Sequence, residues 1–152
     1  MKKVLIALDY DPSAEKVAET GYAIAKALKA EVVLVHIVTE PAYYAMEYSP
    51  IMGYQGAYTT GTVELINDIK KEAENYLAAS VKHLGDPAIK TKVLDGDTEI
   101  ALLDYSKEWK ADLIVIGSHR HKGLERLFVT DLSVHMLKHV KIPLLIIPTE
   151  DK

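Results

Sequence analysis

The densest group of side chains able to handle an anion lies between His119 and Arg126. His119, Arg120, His121, Lys122 and Arg126 follow the apolar run Leu113 to Ile116 and its closing Gly117, and Arg120 and Arg126 are the two arginines of the chain. Guanidinium forks and helix N-termini both favour phosphate, and a helical pattern opens at Asp131, just past these cations. In an open parallel sheet, ligands sit outside the carboxyl ends of strands, where the strand order reverses. The succession strand, glycine, cations, helix therefore marks Ala111 to Pro148 as the place to look for an anionic ligand. The plain alternative is a solvated cationic loop.

Other chemistries find less support. No GxxxxGK[ST] string occurs, and no GxGxxG follows the first strand, so neither a Walker loop nor a dinucleotide fingerprint is present. A GxSxG elbow is also missing. Asp9, Asp95 and Asp97 stand at strand ends, where turn and cap roles are the ordinary use of aspartate. His135 and His139 are four apart on the last helical pattern, a spacing that can offer two imidazoles to one metal. The string HMLKH lacks the glutamate of HExxH, and transition-metal sites generally need three or four convergent ligands. No metal site and no catalytic residue are therefore expected. His36, inside a strand, reads as a hydrogen-bonded core residue.

These residues need a scaffold, and the chain supplies one. With 152 residues, one domain over 1–152 with a real hydrophobic core is expected. The 49% hydrophobic and 26% charged content is that of a globular protein, and the net charge of -4 argues against a general nucleic-acid partner. The chain has no cysteine, which removes disulfides and thiolate chemistry. No run is long enough for a signal-peptide core or a membrane span, so a cytoplasmic protein is the expectation.

Val4 to Leu8 is a continuous apolar run of the kind that strands covered on both faces show, and Glu31 to Val38 (EVVLVHIV) reads as a second, β-branched strand. Between them Ser13 is placed to cap a helix reaching about Lys29, with Ala14, Val17, Ala18, Gly21, Ile24, Ala25 and Leu28 on one stripe. A long Tyr-rich stretch, 39–61, follows, without a lysine or arginine to make it a single-strand nucleic-acid platform. It reads as a loop that packs on the domain or meets a partner. A helix from about Val63 to Leu84 should end at Gly85. Ile89 to Leu94 alternates as an edge strand does, a helix covers about Thr98 to Lys110, and strand Asp112 to Gly117, helix Asp131 to about Lys141 and strand Pro143 to Ile147 complete the set. Five strands alternating with four helices make an open, parallel, Rossmann-like α/β sandwich.

The string ADLIVIGSH, followed by KGLERL and IPLLIIP, resembles the C-terminal half of the universal stress protein family. KVLIALDYDPSAEKVAETGYAIAKALKAEVVLVHIV resembles its opening β-α-β unit, and GDTEIALLDYSKEWKADLIVIGSH its third helix and fourth strand. The likeness covers the chain outside the Tyr-rich loop. It implies a sheet of order 3-2-1-4-5, a homodimer made through the last strand (Pro143 to Pro148), a role in stress response and, in some members, ATP. Family members that bind ATP carry G-x2-G-x9-G-[ST] after strand four. Gly117 keeps the first glycine, but Arg120, Thr130 and Asp131 stand at the other signature positions. Arg120 adds a side chain where backbone must approach phosphate. Asp131 sets a carboxylate on the helix amides that a phosphate would use.

By the same resemblance Asp9 would face the ribose and the backbone near Ile37 the adenine, with Ser118, His119, Arg120, Thr130 and Asp131 around the phosphates. The expectation is a non-enzymatic, dimeric stress-response protein with a degraded ATP phosphate site and no required cofactor. An adenine-nucleotide (ATP or AMP) switch is the alternative, and an ATP hydrolase the weakest. Contacts with other proteins would fall to the Tyr-rich loop.

Overall fold

The computed structural model describes residues 1–10, 12–38, 55–118 and 132–149, with the backbone alone described for 55–63. The chain runs β1 (Lys3–Ala7), α1 (Ala14–Ala27), β2 (Glu31–Val38), α2 (Gln55–Leu84), β3 (Lys90–Asp95), α3 (Thr98–Trp109), β4 (Leu113–Gly117), α4 (Leu132–His139) and β5 (Leu144–Ile147). All strand pairs are parallel and the order is β3-β2-β1-β4-β5. Strand order thus reverses between β1 and β4, so helices are delivered to both faces of the sheet.

Alternation of side chains along the central strands divides the core in two. Val4, Ile6, Val32, Leu34, Leu113 and Val115 point to one side, against Val17, Ala18 and Ala25 of α1 and Leu77 of α2. Leu5, Val33, Val35, Ile114 and Ile116 point to the other, against Leu102 of α3 and Met136 of α4. Because both faces are covered, these strands are apolar at their buried positions, with His36 of β2 the buried polar residue among them. Gly21 lets α1 lie close on the sheet: a Cβ there would stand 2.9 Å from Ile6 Cδ1 and 3.2 Å from Val115 Cγ1.

Strand and helix boundaries fall within a residue or two of those read from the sequence, with one larger difference. α2 begins at Gln55, inside the stretch read as the Tyr-rich loop, rather than near Val63. Gly56, Thr59, Thr60 and Gly61 read locally as breakers. However, each glycine costs only about 1 kcal/mol in a helix, and a helix already nucleated and packed downstream extends at low cost. The remainder of that stretch, 39–54, lies outside the described residues. Ser13 stands at the start of α1 as expected, but in a helical conformation (φ -72°, ψ -12°) and without a side-chain cap hydrogen bond. Gly85 does close α2 with a left-handed φ of 73°, its amide bonding to the carbonyls of Val81 and Lys82.

Candidate functional site

Strand register decides which residues meet at the carboxyl ends. Ile6 of β1 is level with Leu34 of β2 and Val115 of β4. Three residues further along each strand come Asp9, Ile37 and Ser118. The four described residues expected at the site, Asp9, Ile37, Gly117 and Ser118, therefore line one end of the sheet, across the β1–β4 boundary. His119, Arg120, Thr130 and Asp131 lie outside the described residues.

The exit of β1 is held by side chains from two other elements. His36 Nδ1 lies 2.7 Å from the Leu8 carbonyl, an acceptor, so the imidazole carries its proton on that nitrogen. His36 is buried, as its place in a strand suggested. The Tyr76 hydroxyl, from α2, donates to the Asp9 carbonyl at 2.5 Å. The Tyr10 ring completes the group, its centroid 4.3 Å from that of His36 and 4.9 Å from that of Tyr76. Asp9 Oδ1 accepts from the amide of its chain neighbour Tyr10 at 2.7 Å. Ile37 points to the opposite face from His36, half-buried beside Leu94. At this end of the sheet, then, two consecutive carbonyls and one carboxylate are held in fixed directions.

The ends of β4 and β5 are tied together differently. The Ser118 amide donates to the Ile147 carbonyl at 2.9 Å, and the Thr149 amide donates to Ser118 Oγ at 3.1 Å. From the first turn of α1, Lys16 Nζ reaches across to the Pro148 carbonyl at 2.8 Å. The 148–149 peptide is thus gripped at its carbonyl by Lys16 and at its amide by Ser118. Thr149 Oγ1 is buried and has no hydrogen-bond partner among the described residues.

The remaining aspartates and histidines serve local structure. Asp97 caps α3, accepting from the Ile100 amide at 3.0 Å, and Asp95 pairs with Lys70 at 2.7 Å. His135 and His139 both turn Nδ1 to one carboxylate, that of Glu99 on α3, at 3.2 and 2.5 Å. Their spacing thus docks α4 on α3. A second cluster joins α1 to α2: His83 Nε2 lies 2.8 Å from Glu19 Oε1 and 3.2 Å from Glu15 Oε1, all exposed. The hydrogen bond to Glu19 and the charge of Glu15 raise the His83 pKa above its ordinary value.

Lys16, Tyr76, Thr149 and Glu99 were not found by sequence reasoning. Each acts through a partner far along the chain, and no local spacing connects Lys16 with Pro148 or Tyr76 with Asp9.

Comparison with known proteins fits this geometry. Residues 1–148 match the universal stress protein family. The chain belongs to that family. Among relatives, this universal stress protein is 28% identical over 154 residues to universal stress protein MJ0531 of Methanocaldococcus jannaschii, covering 99% of this chain and 84% of the relative. Among solved structures, it resembles a universal stress protein in complex with cAMP, with a TM-score of 0.60, 20% identity and coverage of 96% of this chain and 95% of the other. A universal stress protein from Archaeoglobus fulgidus in complex with dAMP gives 0.58 at 17% identity, covering 97% and 98%. Among the described residues, no helix is long and apolar enough to cross a membrane.

Proposed function

We propose that this universal stress protein is a non-enzymatic stress-response protein of the cytoplasm that works as a homodimer through protein contacts, with the usual ATP phosphate grip degraded. The observation that carries the dimer is β5. It ends the sheet, holds only leucine and isoleucine, and keeps Leu144, Leu145 and Ile146 half-buried. An apolar terminal strand with unused backbone groups is a template for pairing with a second copy. The loss of the ATP grip rests on Arg120, Thr130 and Asp131 at the signature positions. The non-enzymatic reading rests on the sequence, in which no nucleophile–base pair is evident.

Calorimetric titration of micromolar protein with ATP should give no saturable heat, and phosphate release from ATP should stay at background. Micromolar ATP binding would overturn the loss of the grip. Phosphate release abolished by Asp9→Ala would make the protein an ATP hydrolase.

A second reading is an adenine-nucleotide switch that takes a ligand with a short phosphate. Two observations favour it: Asp9, Ile37 and Gly117 remain together at the strand ends, and two solved relatives are described in complex with cAMP and dAMP. Saturable binding of AMP or adenosine supports this reading, and its absence for both contradicts it.

A further inference from the structure

We propose that Glu15 and Glu19 of α1 and His83 of α2 form a binding site for a divalent transition-metal ion, with Zn2+ the ion their donors suit. The donors come from two helices. Glu15 and Glu19 stand one turn apart, so both carboxylates lie on the same face of α1. His83, in the last turn of α2, turns Nε2 towards both, 2.8 Å from Glu19 Oε1 and 3.2 Å from Glu15 Oε1. One oxygen from each carboxylate and one imidazole nitrogen lie within 4.8 Å of one another.

These separations are close to what a metal needs. Zinc takes imidazole nitrogen and carboxylate oxygen at about 2.0–2.2 Å in a tetrahedral array, which sets neighbouring donors about 3.3–3.6 Å apart. The two imidazole–carboxylate separations reach that range by opening less than about 1 Å, within the rotamer freedom of exposed side chains. Charge agrees as well, since two carboxylates and a neutral imidazole balance a dication. The imidazole nitrogen selects against calcium and magnesium, which take oxygen ligands. All three side chains are exposed, so an ion can enter from solvent and a water can take the fourth position.

The backbone beneath the donors is fixed by the core. Ala14, Val17 and Ala18, which flank the two glutamates, are buried, and Val81 and Leu84, on either side of His83, pack against the same cluster. The donors are therefore brought together before any ion arrives, which lowers the ordering cost of binding. Like charges one turn apart on a helix repel, and among the described residues no lysine or arginine pairs with either glutamate. A bound dication would offset that repulsion and add a link between α1 and α2. The sequence gave no hint of the site, because His83 lies 64 residues from Glu19.

The test is calorimetric titration of the full chain with ZnCl2, using wild type, His83→Gln, Glu15→Gln, Glu19→Gln and His139→Gln. Wild type should bind one equivalent with micromolar Kd, and at about 100 times Kd its melting temperature should rise by about 5–10 °C. CaCl2 should give no saturable heat. His83→Gln should weaken zinc binding at least tenfold and each glutamate variant should weaken it also, whereas His139→Gln, remote from the trio, should leave it unchanged. Co2+ bound to wild type should show a visible absorption band that His83→Gln loses. No saturable zinc binding by wild type overturns the proposal, as does unchanged affinity in His83→Gln. Zinc binding lost in His139→Gln instead would place the ion on α4 and overturn it equally.

Discussion

The two edges of the sheet are built to opposite rules. On β3, Lys90, Thr91 and Lys92 are exposed, Lys90 pairs with Glu31 at 2.9 Å, and Asp95 pairs with Lys70. Edge lysines are a standard way to stop a strand from recruiting another chain. On β5 there is no charge at all. Its inward groups are used: the Ile114 amide donates to the Pro143 carbonyl at 3.1 Å and the Ser118 amide to the Ile147 carbonyl. Parallel pairing turns the backbone of alternate residues to the same side, so Pro143, Leu145 and Ile147 face β4 while Leu144 and Ile146 present theirs outward. One edge carries charges that oppose pairing, and the other carries none, as the proposed dimer requires.

This contrast can be tested at positions that separate folding from assembly. The largest effect belongs to the core beneath both edges. Leu77→Ala empties a fully buried position of α2 and should destabilise the fold by about 2–5 kcal/mol in urea unfolding. It should do so without selectively weakening the dimer; a purely assembly-linked effect would show that the core does not stand apart from the edges. Ile146→Pro removes an outward amide while leaving the β4 pairing groups intact. It should weaken dimerisation by about 2 kcal/mol or more, roughly 30-fold in Kd, by sedimentation. An unchanged Kd would remove β5 from the interface. On the opposite edge, Lys92→Val should leave folding nearly unchanged but add concentration-dependent association, seen by light scattering. Its absence would mean that the lysines are not what protects β3.

The smallest effect concerns the α1–α2 cluster of Glu15, Glu19 and His83. His83 has a raised pKa in the folded state, so its stabilisation is complete below the unfolded value of about 6.5 and is lost as pH rises through the higher folded value. The melting-temperature difference between wild type and Glu19→Gln should therefore be larger near about pH 6 than near about pH 8.5. A difference that grows with pH would contradict the ion-pair assignment.

Much of this fold is legible locally. β1, β2 and β4 announce themselves because burial on both faces demands mostly apolar residues, and β3 because its exposed Lys90 and Lys92 are what an edge strand carries. Asp9, Ile37, Gly117 and Ser118 could be assembled from strand ends and family resemblance, and parallel register then sets them level. The start of α2 could not be read, because glycine and threonine carry only weak local preferences that downstream packing overrides. Nor could the grip of Tyr76 on Asp9, of Lys16 on Pro148, or of Glu99 on His135 and His139. These bonds join residues that only the crossovers bring together, and their side-chain types are unremarkable at their own positions in the chain.

The account depends most on β5 as the contact surface, and sedimentation equilibrium of the wild-type chain at micromolar concentration tests this directly. A species of twice the 16.9 kDa chain mass is the result expected of a paired β5 edge. A monomer throughout that range would contradict it.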